Sequence, residues 1–266
     1  MLRHLRYLPG QLFRAATNLG PVNTARYVGQ RTQTLLGLGA ATFQLRTPDA
    51  RFPIVIRRGT SDIQVFKQIF IDREYGCLDE LDEVGLVIDC GSNIGCSAAY
   101  FLTRFPRCHV IAVEPDAANY RLLRENMGPY GDRVECHRAG VWSHATGLVM
   151  QETKTQRTEE WGRQVRECRT GETAAFHAVD IATLLAGSGC QRISLLKIDV
   201  EGAEVVIFSE DCHAWLGRVD NLVIELHSGP AYGDGPAAFQ RAIKPHLFTI
   251  SHSGELTVCR QALDLT

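Results

Sequence analysis

Short apolar runs alternate with stretches of helical spacing along most of this chain. Phe52–Arg57 alternates weakly and predicts a strand, and Asp62–Phe70 places Ile63, Phe66, Ile69 and Phe70 at helical intervals. The run Leu86–Cys90 predicts a buried strand, followed by a helix over Cys96–Phe105 that Pro106 stops. His109–Glu114 predicts a second strand, Asn119–Met127 a helix ended by Gly128-Pro129, and Arg133–His137 a third strand. Beyond these, Asp180–Leu185 predicts a short helix, Arg192–Val200 a fourth strand, Glu204–Phe208 the core of a helix and Asn221–His227 a fifth strand. His246–Ile250 and Glu255–Arg260 predict a hairpin around Ser253-Gly254. Strand and helix in alternation, then a hairpin, describe an α/β fold: a Rossmann-like doubly wound, mostly parallel sheet with an antiparallel C-terminal hairpin.

Two segments break the rhythm. Residues 1–48 hold six arginines and no acid, and Leu12, Phe13, Ala16 and Leu19 follow Pro9 at helical spacing. Three readings fit: a helical extension packed on the core, a basic amphipathic surface touching an anionic membrane, or a mitochondrial transit peptide that lacks the usual serines. In residues 151–172, ten of 22 positions are charged, which predicts a polar inserted loop or lid. The expected organisation is a basic N-terminal extension over 1–50 and one domain over 51–266. A net charge of −2 argues against nucleic-acid binding. Nine cysteines without a C-x-x-C pair predict reduced thiols and an intracellular, cytoplasmic chain, peripheral at a membrane surface if the basic extension makes that contact.

The candidate chemistry begins at Val87-Ile88-Asp89-Cys90-Gly91-Ser92-Asn93-Ile94-Gly95, a strand, tight turn and helix start of the kind that receives a cofactor. It departs from G-x-G-x-x-G, because Asn93 stands at the second glycine and Cys96 follows Gly95. A pyrophosphate needs that glycine-lined turn, and Asp89 would repel it. An ammonium or hydroxyl suits the acid, so S-adenosylmethionine fits better than NAD. Glu114, at the tip of the second strand, is placed to accept both ribose hydroxyls.

Further candidates lie at the next two strand tips. Lys197, Asp199 and Glu201 alternate along the fourth strand and share one side, as do Glu225 and His227 on the fifth. Three charges on one side of a central strand are costly when buried unpaired, which favours a site at the tip over a structural cluster.

These residues resemble the FkbM family of S-adenosylmethionine-dependent methyltransferases. The resemblance is carried by Thr60-Ser61-Asp62, Val65-Phe66, Ile69-Phe70 and Glu74-Tyr75, then by Ile88 to Gly95, Val113-Glu114-Pro115, Asn119, Leu122-Leu123 and Asn126. It continues through Leu196-Lys197-Ile198-Asp199-Val200-Glu201-Gly202-Ala203-Glu204 and Ile224-Glu225-Leu226-His227, spanning roughly 55–255. Cys90 departs mildly from the usual pattern.

The resemblance implies O-methylation of a sugar, glycolipid or related natural-product hydroxyl. It implies that Asp89, Gly91, Ser92, Asn93 and Gly95 frame the methionine part, that Glu114 holds the ribose, that Ala139 lies near the adenine and that Tyr75 covers the cofactor. The acceptor needs a base or a metal ion. Asp199 or His227 is the candidate base, with Glu201 and Lys197 beside them. Metal-free catalysis is the favoured expectation, because no short D-x-D or H-x-x-H spacing marks a metal. A divalent ion held among Asp199, Glu201, Glu225 and His227 is the alternative. An NAD-dependent oxidoreductase or a non-catalytic adenosylmethionine-binding protein on the same fold remain rival readings.

Overall fold

The computed structural model describes residues 8–150, 165–200, 202–229 and 233–261. Glu201 and most of the polar insertion, 151–164, lie outside the described residues.

Seven strands form the central sheet: β1 (Leu86–Cys90), β2 (His109–Val113), β3 (Val134–His137), β4 (Leu195–Ile198), β5 (Asn221–Glu225), β6 (Phe248–Ser253) and β7 (Leu256–Gln261). Their spatial order is β3-β2-β1-β4-β5-β7-β6. The first five run parallel, and β7 pairs antiparallel with both β5 and β6. The apolar runs follow from burial on both faces. Val87, Val110, Leu195 and Val223 join one core cluster, while Leu86, Ile88, Ile111, Leu196 and Ile224 join the other. The strand order reverses between β1 and β4, so the loops leaving those strands diverge and open a crevice beyond their carboxyl ends.

The expected elements are present with shifted ends. β4 stops at Ile198 and β5 at Glu225 rather than at Val200 and His227. The helix Ala117–Met127 starts two residues early because Asp116 caps it, accepting from the Ala118 and Asn119 amides at 2.8 and 3.0 Å. The segment 62–70 is a short α-helix, Asp62–Phe66, running into a π-turn, Lys67–Ile71.

One feature was not legible in the hydrophobic pattern. A small second sheet joins Ala139–Val141, Phe176–Val179, Gly147–Met150 and Val165–Glu167, so the C-terminal part of the expected loop 151–172 includes a strand. At the N-terminus, α1 (Leu8–Leu19) and α2 (Pro21–Leu35) lead into a hairpin of Thr42–Thr47 and Ala50–Arg57. The boundary expected at residues 50–51 falls inside that hairpin.

The N-terminal segment packs on the core through Ala15, Leu19, Tyr27, Phe43 and Leu45. Leu12 and Phe13 of the expected apolar stripe face solvent instead. Asn126 stitches the hairpin to the first turn: its amide accepts from Val55 N–H at 2.8 Å and donates to the Val55 and Ile94 carbonyls at 3.2 and 2.8 Å. Among the described residues, no helix is long and apolar enough to cross a membrane.

Candidate active site

Sterics shape the turn after β1. Gly91 has φ +83°, and a Cβ there would lie 1.9 Å from the Asp199 carbonyl oxygen, so no other residue fits. Asn93 takes φ 51°, the left-handed conformation in which its Oδ1 accepts from the Ile94 amide at 2.7 Å. The Gly91 and Ser92 amides both donate to the Val113 carbonyl, at 3.0 and 2.9 Å, and Ser92 Oγ donates back to the Asp89 carbonyl at 2.8 Å. The loop is thereby fixed against β2 before any ligand arrives.

This turn forms one wall of a cavity of ≈ 290 Å³ in the crevice. Of the cofactor residues expected from sequence, Tyr75, Gly91, Ser92, Asn93, Glu114 and Ala139 line it. Asp89 and Gly95 do not. Gly95 is a packing glycine, where a Cβ would meet Leu123 at 2.9 Å. Asp89 is fully buried behind the turn and accepts from Ser97 Oγ at 2.6 Å. Tyr75 is a fixed wall rather than a cover, 2% exposed and packed against Phe101 with ring centroids 5.1 Å apart.

Glu114 lies just beyond the end of β2 and lines the cavity. Its Oε2 accepts from the Asn93 amide and its Oε1 from the Asp116 amide, both at 2.9 Å. Burial pushes its pKa up to about 7, and the two amides oppose that shift. Asn119, which also lines the cavity, approaches Oε1 at 3.5 Å and accepts from Arg57 at 2.6 Å, linking the N-terminal hairpin to this carboxylate.

Lys197, which lines the cavity, is also tied into the fold. It stands directly opposite Asp89 in the β4–β1 register. Its Nζ lies 3.3 Å from Asp89 Oδ1 and 3.6 Å from Asp199 Oδ2, and it donates to the Gly91 and Cys90 carbonyls at 2.7 and 3.2 Å. Burial pulls its pKa down, but the Asp89 and Asp199 carboxylates outweigh this and leave it above the ordinary value.

Asp199 and Glu225 line the cavity, while His227 lies outside its lining. The structure nevertheless brings Asp199, Glu225 and His227 together, with one potential ligand atom from each lying within 4.8 Å of the others. Several site residues escaped the sequence reading. Glu74 and Glu255 line the cavity, and burial, reinforced by Asp199, pushes the Glu74 pKa up to about 7. Glu204, fully buried, bonds His227 Nδ1 at 2.6 Å. Glu74 and Glu204 sit within matched motifs, but no spacing rule points from them to the strand tips.

Sheet order, switch point and crevice together define a Rossmann-like enzyme of the class I methyltransferase type. The chain belongs to the FkbM methyltransferase family: that family's model, described as the methyltransferase FkbM domain, matches residues 89–249. It is 27% identical over 181 residues to Methyltransferase 1 of Beauveria bassiana, covering 61% of this chain and 72% of that one. It is 28% identical over 192 residues to Methyltransferase sdnD of Sordaria araneosa, covering 60% and 73%. A shorter stretch of 86 residues is 34% identical to the 2-O-methyltransferase NoeI of Sinorhizobium fredii, covering 32% of each.

The Lys197 cluster yields a stability prediction. Lys197→Met leaves Asp89 charged and buried without its cation, which costs about 3–5 kcal/mol. Denaturant unfolding measures this; a change below about 1 kcal/mol would show that the pair is not holding the two strands.

Proposed function

We propose that this protein is an S-adenosylmethionine-dependent O-methyltransferase acting on a hydroxyl of a sugar, glycolipid or related natural product. The observation that carries the reading is the charge of the cavity. Glu74, Glu114, Asp116, Asp199, Glu225 and Glu255 line it, against Lys197 as the one basic residue among the described lining residues. Such a wall repels the pyrophosphate of a dinucleotide and attracts a ligand bearing a sulfonium and an ammonium. Glu114 is held by two amides so that its remaining lone pairs can accept ribose hydroxyls. Methyl transfer is an in-line displacement: the acceptor oxygen bonds the methyl carbon, the C–S pair returns to sulfur and the hydroxyl proton leaves. The similarity to a 2-O-methyltransferase supports an oxygen acceptor.

We propose further that the acceptor is met at an anionic membrane surface. Phe13 and Leu35 are 74% and 83% exposed, with Leu36 and Leu38 also exposed, on a segment with six arginines and no acid over residues 1–48. α1 adjoins the cavity wall, since Asn18 donates to the Ile71 carbonyl at 2.8 Å at the end of the π-turn that carries Gln68 and Ile69.

Calorimetry with adenosylmethionine and its demethylated product tests the first proposal. Both bind and NAD does not, and Glu114→Ala weakens binding by roughly 1–3 kcal/mol. Undiminished binding by that variant would overturn the ribose assignment, and binding of NAD would overturn the choice of cofactor.

The pH dependence follows from Glu74 and Glu114, both raised from 4.5 to about 7. A carboxyl whose folded pKa is raised contributes stability below its unfolded pKa, and this is lost as pH climbs through the folded value. The unliganded protein therefore melts at progressively lower temperature between about pH 4.5 and 7, while cofactor affinity rises as Glu114 ionises. Glu114→Gln flattens both trends; unchanged slopes would contradict the assignment.

For the membrane surface, phosphatidylglycerol vesicles sediment the protein and phosphatidylcholine vesicles do not. Salt and the pair Leu35→Glu and Leu36→Glu weaken the association. Binding indifferent to both would refute it.

A further inference from the structure

We propose that Asp199, Glu225 and His227 form a binding site for a divalent metal ion that holds and acidifies the acceptor hydroxyl. The inference rests on the methyl-transfer reading above and deepens it. The three residues come from beyond β4, from the last position of β5 and from two residues further on. No D-x-D or H-x-x-H spacing marks them, which is why the sequence favours a metal-free reaction. The fold supplies the convergence instead: one donor atom from each lies within 4.8 Å of the others, and His227 Nε2 lies 3.7 Å from Glu225 Oε1. An ion with bonds of about 2.1 Å spans ligand atoms roughly 3–4.2 Å apart, so side-chain rotation of about half an ångström closes the site.

A second feature points to a metal rather than to an incidental cluster. Histidine ligands are oriented by a carboxylate on their other ring nitrogen. Here Glu204, fully buried at the first turn of the helix Glu204–Ile207, lies 2.6 Å from His227 Nδ1. Its other oxygen has no hydrogen-bond partner among the described residues. That contact fixes the tautomer in which Nε2 can bind an ion. Charge balance agrees: Asp89, Asp199, Glu74 and Glu225 share the field of one ammonium, Lys197, whose nearest carboxylate, at 3.3 Å, is that of Asp89. The donor set, two carboxylates and an imidazole, suits manganese or a similar divalent ion better than a soft metal.

With an ion in place, the acceptor oxygen coordinates it and its pKa falls. Its proton passes to water, which reaches the partly exposed side chains of Asp199 and Glu225. The oxygen then bonds the methyl carbon, the C–S bond breaks and its electron pair stays on sulfur as a neutral thioether.

The test uses the full chain stripped with chelator and titrated with manganese, following the loss of the free-ion electron paramagnetic resonance signal. On the same samples, calorimetry measures binding of the demethylated cofactor. One ion binds per chain, and Asp199→Asn and Glu225→Gln each weaken it at least about tenfold while the melting transition persists. Glu204→Gln, which touches no ion, weakens it by about 10–100-fold, an effect a purely structural glutamate would not give. No binding by the parent at about 1 mM manganese, or binding indifferent to all three substitutions, would overturn the proposal. The titration of the parent alone decides the matter if a variant fails to fold. Cofactor binding without manganese binding refutes the metal site and leaves the methyltransferase reading intact; manganese binding without cofactor binding refutes the cofactor reading while the site stands.

Discussion

The buried ammonium of Lys197 is the interaction on which the site depends. It faces Asp89 across the β4–β1 pair and donates to the carbonyls of Cys90 and Gly91 where the first strand turns. A charge this deep is stable only because both carboxylate and carbonyl partners are in place. In return it ties the fourth strand to the loop after the first, at the point where the sheet reverses its order. Gly91 then passes so close to the Asp199 carbonyl that a single methyl group would separate the two segments. The turn that walls the cavity and the acidic tips of the central strands are thus one rigid unit.

From that unit the chemistry divides cleanly. On the β2 side, Glu114 is presented by the Asn93 and Asp116 amides, with Asn119 and Arg57 behind it. On the β5 side, Asp199, Glu225 and His227 gather, one potential ligand atom of each within 4.8 Å of the others. Asp89 serves both halves without lining the cavity. The acid that marks this turn in the sequence neutralises the protein's own lysine, and the residues in front of it, Gly91 to Asn93, line the cavity.

Much of this was legible in the residues. Parallel core strands are buried on both faces, so their apolar runs stand out, and the glycine turn after Asp89 marks the crevice without ambiguity. Asn93 at positive φ was readable because few other residues adopt that conformation. The small second sheet was not, because its strands are three or four residues long and set among polar positions. The division of roles was hidden too. Alternation places Lys197 and Asp199 on one side, but which lies inside depends on the Asp89 opposite, a cross-strand fact. Glu204 and Glu74 reach the site through tertiary packing that no periodicity records.

The central claim is that one acidic cavity receives an adenosyl cofactor with its ribose on Glu114 and its sulfur toward the tips of β4 and β5. A crystal structure with the demethylated cofactor tests this most directly. The expected result places both ribose hydroxyls within hydrogen-bond distance of the Glu114 carboxylate and the sulfur on the side of Asp199 and Glu225. A ligand bound elsewhere, or one whose ribose makes no contact with Glu114, would contradict it.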